Sequence, residues 1–175
     1  MKRWLAFIVT LLLFCLPVYA EEGTALSLDS SPASNGLAEI AVVLNGNPGF
    51  VSYQLDIAYD AACLQPLELT SGIGGMPVYN FLEADDQSSC VKVAYASAMP
   101  VQENGELFRI RFQIRETLSA GQSAALRLEN VHFYSQDGTE FTLTLKDGQI
   151  YVPTVPSEET GTTTAEEAGA GPSGS

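Results

Sequence analysis

Basic residues are scarce in this chain: eight Lys and Arg stand against 21 Asp and Glu, leaving a formal net charge of −13. A surface so acidic repels phosphate backbones and anionic lipid headgroups, so nucleic acid and membrane surfaces are poor partners. Imidazole is scarcer still. The one histidine, His132, lies in the stretch Val131-His132-Phe133 with no Gly-x-Ser-x-Gly turn and no activated thiol nearby. A Ser-His-Asp or Cys-His hydrolase would therefore lack its base, and no catalytic residues are expected. A single histidine and well-separated cysteines also fall short of the four ligands that structural zinc takes, so no intrinsic metal or cofactor is expected. No glycine-rich loop leads into a helix, which removes the usual signal for nucleotide binding. The only tryptophan, Trp4, falls in the first twenty residues.

Those twenty residues read as a signal peptide. Lys2 and Arg3 give a positive start, Trp4 to Leu16 is apolar, and Val18 and Ala20 stand at a cleavage spacing. The expected product begins near Glu21 and is secreted. At the other end, residues 153–175 are Pro, Ser, Thr, Gly, Ala and Glu with no aromatic side chain. Such a segment cannot bury enough apolar area to offset the entropy of ordering it, and it reads as a disordered tail or linker. Between the two ends, residues 21–152 are enough for one domain. That stretch contains Cys63 and Cys90, and an oxidising compartment permits a disulfide between them. Spacing alone does not say whether their side chains converge.

The period within the domain is two. Val51, Tyr53, Leu55, Ile57 and Tyr59 alternate with Ser52, Gln54, Asp56 and Ala58, the pattern of a half-buried strand. Val91, Val93 and Tyr95 alternate with Lys92, Ala94 and Ala96 in the same way. From Leu107 to Arg115 the alternation sends Phe108, Ile110, Phe112 and Ile114 inward and Arg109, Arg111, Gln113 and Arg115 outward. Further strands are expected over Ala25 to Leu28, Leu37 to Leu44, Leu64 to Leu69, Ala125 to Phe133, Glu140 to Lys146 and Gln149 to Val152. Turn chemistry at Asn45-Gly46-Asn47-Pro48-Gly49 and Gln102-Glu103-Asn104-Gly105 separates some of them. No stretch gives a long amphipathic helix, so the fold class is all-β, an antiparallel sandwich or barrel of eight or nine strands.

Glu83, Asp85 and Asp86 cluster in an expected loop. Two acids at the right separation serve a glycosidase, but Phe81 and Tyr79 are the only nearby rings. A solvated acidic loop is the simpler reading, with weak calcium binding as its alternative. Sugar binding on a β-sandwich would call for a row of exposed rings, and Tyr79 and Tyr134 form no such row in sequence.

The run from Asn47 to Leu64, with Gly49 opening a strand that ends in Tyr59-Asp60 and Leu64 following four residues later, resembles the signature of a cohesin module. Gly105-Glu106-Leu107-Phe108-Arg109-Ile110-Arg111-Phe112 and Asp147-Gly148-Gln149-Ile150-Tyr151-Val152 are similar to later stretches of that family in the same order. The resemblance covers roughly residues 23–152. It implies a nine-stranded jelly-roll β-sandwich that receives a dockerin, a small calcium-loaded helical module borne by another secreted protein. The calcium would belong to the partner, and the setting would be extracellular or at a bacterial cell surface.

It also implies a partner face built from the strands around Phe50 to Tyr59, Cys90 to Ala98, Leu107 to Arg115 and Glu140 to Lys146. The outward residues there are Ser52, Gln54, Asp56, Lys92, Ala94, Ala96, Arg109, Arg111, Thr142 and Thr144. The family often has Asn and Asp where this chain has Ser52 and Gln54. Polarity is kept and a carboxylate is lost, which changes what a partner must offer. Two other readings stay open: a sandwich that binds polysaccharide, and a structural spacer with no specific site.

Overall fold

The computed structural model describes residues 23–83 and 89–154. The expected signal peptide, the tail beyond Thr154 and the acidic pair Asp85 and Asp86 lie outside the described residues. The described chain is strand and loop throughout. In order the strands are β1 (Ala25–Leu28), β2 (Ser31–Pro32), β3 (Leu37–Asn45), β4 (Phe50–Ala58), β5 (Leu64–Ser71), β6 (Val78–Leu82), β7 (Cys90–Val101), β8 (Gly105–Ile114), β9 (Ser123–Tyr134), β10 (Thr144–Lys146) and β11 (Gly148–Tyr151). Nine of these have four residues or more; β2 and β10 are short edge pieces of two and three. One sheet runs β10-β1-β3-β8-β5 and the other β2-β11-β9-β4-β7-β6. The expected all-β sandwich is therefore present.

The two sheets meet through the apolar faces that the period of two supplies. On β4, Phe50, Tyr53, Leu55 and Ile57 are buried; on β8, Phe108, Ile110 and Phe112 are fully buried. Tyr53 lies at the junction. Its ring stacks on Phe133 at 5.0 Å and on Tyr95 at 5.4 Å, and it reaches across to Phe108 of the other sheet at 6.4 Å. Tyr59 and Phe112 make a second bridge, edge to face at 5.8 Å. Ring pairs of this kind contribute about 0.5–1.5 kcal/mol each beyond the area they bury.

Two loop devices hold the sheets in register. Asn47 donates from Nδ2 to the carbonyls of Val101 (2.9 Å) and Glu103 (2.8 Å), while its Oδ1 accepts from the Gly49 amide at 2.9 Å. Gly49 has φ +107°, a conformation that suits glycine alone, so the turn into β4 is tied to the turn between β7 and β8. After β5, the chain passes against β8: the Gly72 amide donates to Leu107 O at 2.9 Å, and a Cβ there would sit 1.9 Å from Glu106 O.

Tyr53 carries the fold's one unpartnered buried side-chain oxygen among the described residues. Leaving a buried hydroxyl unpaired costs about 1–3 kcal/mol. Tyr53→Phe keeps the ring stacks and removes that cost, so urea melts should show equal or greater stability. Gly72→Ala should do the reverse, lowering stability by about 1–3 kcal/mol through overpacking against the Glu106 backbone. Burial, and then the neighbouring Glu83, lifts the Tyr59 phenol from 10.0 to about 12, and burial lifts Tyr53 as well. Both groups ionise first in the unfolded chain. The contribution of Tyr59 is complete below about pH 10 and is lost as pH rises through about 12; that of Tyr53, raised further, is lost at higher pH still. Tyr53→Phe and Tyr59→Phe should each flatten the alkaline limb of stability against pH.

Candidate interaction face

The strand register groups the outward side chains of the six-stranded sheet into rows. Tyr134, Ser52 and Ala96 form one; His132, Gln54, Ala94 and Val78 form the next; Asp56, Lys92 and Asn80 lie in a third. Ser52, Gln54, Asp56, Lys92, Ala94 and Ala96 thus share the face the sequence assigned to them. Two strands supply members that sequence reasoning had not placed: Val78 and Asn80 from β6, Asn130, His132 and Tyr134 from β9.

The carboxylate of Asp56 on this face is held from two sides, with Glu129 opposite it in register. Lys92 Nζ donates to Asp56 Oδ2 at 2.6 Å, and Asn130 Nδ2 donates to the same oxygen at 2.8 Å. The hydrogen bond to Asp56 holds the Lys92 ammonium above its ordinary pKa. Asn130 reaches Asp56 because β9 slips register opposite Gln54 and Asp56, and Asn130 takes φ 49° at that slip. On the rim, His132 Nδ1 lies 2.5 Å from Glu140 Oε1. The amides of Gln54 and Asn80 have no intramolecular hydrogen bond among the described residues.

Because Ala94 is small and its neighbours are not, the centre of the face is a hollow of about 490 Å³ lined by Gln54, Asp56, Val78, Ala94, Asn130 and His132. Val78 stands 78% exposed on its wall. Such a surface can take an uncharged side chain and offer it neutral hydrogen-bonding groups. Rings do not pave it. Tyr134 lies beside His132 at 6.5 Å, whereas Tyr79 and Phe81 pack partly buried against the core.

The other four expected members are elsewhere. Arg109 and Arg111 belong to β8, in the opposite sheet, and point away from Ser52 and Gln54 across the thickness of the sandwich. There they form a closed ribbon. Arg109 grips Glu106 with two bonds at 3.0 and 2.5 Å, and Arg111 bridges Glu39 at 3.0 Å and Glu68 at 3.1 Å. Its bond to Glu106 raises Arg109 further above its ordinary pKa. Thr142 lies outside any strand and Thr144 begins β10, which pairs with β1. The reason is a crossover: Glu140 still bridges Tyr134, Phe141 N donates to Phe133 O, and by Thr144 the amide donates to Thr24 O at 2.9 Å. Alternating Phe141 and Leu143 pack against the core during that crossing without forming the expected strand, and Leu145 is 44% exposed.

Cys63 and Cys90 are both free thiols. Cys63 lies in the turn after β4 with Sγ 3.5 Å from Asp60 Oδ2, while Cys90 opens β7 opposite Ala58 and Leu82. Burial pushes both thiols up, which keeps them protonated and slow to oxidise. Of the acidic cluster, Glu83 pairs with Arg115 at 3.4 Å. No group of three or more potential metal ligands occurs among the described residues.

Comparison with known proteins gives one consistent result. The profile of the Cohesin domain matches residues 25–152. A search of curated proteins finds no match. Among solved structures, the chain is similar to the cohesin of the Coh-OlpA-Doc918 cohesin–dockerin complex from Clostridium thermocellum, at 21% identity and TM-score 0.66 over 75% of this chain and 99% of that one. It is similar to the sixth cohesin of scaffoldin B from Acetivibrio cellulolyticus, solved with a mutant Cel5 dockerin, at 19% identity and TM-score 0.64 over 74% and 99%. It is likewise similar to a non-cellulosomal cohesin from the archaeon Archaeoglobus fulgidus, at 20% identity and TM-score 0.62 over 75% and 92%. At these identities the structural likenesses speak to the fold, and the profile match over most of the chain establishes the family: this chain belongs to the Cohesin domain family.

Proposed function

We propose that the protein is an extracellular, non-catalytic module whose outer β9-β4-β7-β6 face receives a dockerin-bearing partner for assembly or surface display. Family membership supports the partner class, and two of the similar structures are complexes with dockerins. The apolar leader from Trp4 to Leu16 supports export. The observation that selects the face is the hollow over Ala94, set among neutral amides and a carboxylate already held by Lys92 and Asn130. A partner need bring no cation to satisfy it. It needs a side chain that fills the hollow and neutral groups that pair with Ser52 and Gln54. Calcium belongs to the dockerin. Polysaccharide gains no support from a face whose exposed rings form no row, and a pure spacer has no use for free amides around a hollow.

The test is titration calorimetry with dockerin-bearing proteins recovered from the same organism by pull-down on this chain in calcium. Ala94→Trp fills the hollow at an exposed position, so melts should be unchanged while affinity falls at least about tenfold, or about 1.4 kcal/mol. Arg109→Ala and Arg111→Ala should leave affinity unchanged, since both side chains face away. Chelating calcium should abolish binding. Capture of no dockerin would sink the partner class. Tight binding by Ala94→Trp together with loss in the arginine variants would move the site to the opposite sheet.

A further inference from the structure

The four sheet edges are guarded unequally. In the five-stranded sheet, β10 has three residues ending in Lys146, and β5 carries Pro66 with a register shift before Glu68. In the six-stranded sheet, β2 is only Ser31–Pro32. Short length, proline, charge and bulges are the devices that stop an edge from pairing with another chain. The remaining edge, β6, has none of them. It is Val78-Tyr79-Asn80-Phe81-Leu82, uncharged, free of proline, and in unbroken register with β7 from Val78↔Ala94 to Leu82↔Cys90. Among the described residues no further strand lies beyond it.

Its sequence is nearly the same read in either direction about Asn80. We infer that β6 is a self-association edge, where a second copy of this chain adds its own β6 in antiparallel register centred on Asn80. Val78 then stands opposite Leu82 of the partner subunit, and Tyr79 opposite Phe81 of the partner subunit. Asn80 meets its own copy on the twofold axis. On the inner side the pairing extends the Tyr79–Phe81 ring contact, 5.1 Å within one chain; on the outer side it covers part of the exposed Val78 side chain. No charge is opposed to itself anywhere along the strand, which is the usual penalty for like-on-like pairing. The twofold stands perpendicular to the sheet, so both outer faces point to the same side and the dimer offers two docking faces side by side. A five-residue edge buries far less than the roughly 1,200 Å² of a stable interface, so the dimer is weak and depends on concentration. This inference is independent of the partner class proposed for the face.

Sedimentation velocity on the purified full chain from about 1 µM to about 1 mM, a span that brackets weak equilibria, should show a reversible shift from monomer to dimer. Asn80→Lys puts two ammonium groups on the axis and should abolish the shift without lowering the melting temperature, because Asn80 is exposed. Asn80→Cys should give a disulfide-linked dimer under mild oxidation, since directly opposed Cβ atoms lie about 4.5–5.5 Å apart. Gln54→Cys, also exposed but on β4, should not. A monomer at every concentration would overturn the inference, as would a dimer that Asn80→Lys leaves intact.

Discussion

The burial of β4 against β8 is the constraint on which the rest of the molecule depends. Each strand has a period of two, so once Tyr53, Leu55 and Ile57 face Phe108, Ile110 and Phe112, the alternate residues of the two strands must point to opposite sides of the sandwich. Gln54 and Arg111 cannot share a surface. That single geometric fact divides the exposed chemistry into two faces and decides which of them can act together.

Much of this was legible from the sequence, and the part that was not has a physical reason. Alternation identified β4, β7 and β8 and assigned most of their inner and outer residues, because one buried face leaves a period-two trace; it failed at the bulges, where Phe50 rather than Val51 is fully buried and Leu107 is buried beside Phe108. It could not say which sheet a strand joins. Both sheets bury an apolar face, so β8 looks the same from either side, and Arg109 and Arg111 were placed with the wrong neighbours. Strand β6 left only five residues of alternation between a glycine-rich loop and an acidic one. Asn130 left no trace at all, since its role arises from a slip in β9 that only pairing with β4 reveals. The segment 140–146 misled in the opposite sense: Phe141 and Leu143 alternate because they pack during a crossover, not because they belong to one ladder. The turn from Asn47 to Gly49, by contrast, was visible because part of it is local: Asn47 Oδ1 accepts from the Gly49 amide and Gly49 takes a positive φ, so both show in adjacent residues. The bonds from Asn47 Nδ2 to Val101 and Glu103 span more than fifty residues and left no such trace.

The two outer faces spend their charges differently. On β3, β8 and β5, three glutamates surround two arginines in a ribbon of exposed pairs. Pairs of this sort contribute about 0–1 kcal/mol each, and with both guanidiniums engaged the ribbon offers little to a newcomer. On β9, β4 and β7, the Asp56 carboxylate is held by Lys92 and Asn130, leaving Gln54 and Asn80 unengaged among the described residues.

On energetic grounds a contact on the second face would cost less than one on the first. A partner settling on the arginine ribbon would have to desolvate five charged groups already satisfied by one another and by water, at a cost that close pairing does not reliably return. A partner settling over Ala94 and Ala96 immobilises side chains with no rotamer entropy to lose, and it desolvates amides, whose transfer from water costs far less than that of an ion. The hollow supplies shape, Val78 supplies apolar area, and Asp56 is already hydrogen-bonded to Lys92 and Asn130. The carboxylate of Asp56 is already held by Lys92 and Asn130, so a partner docking at the hollow would meet shape and neutral hydrogen-bonding groups there more than an unpaired Asp56 charge.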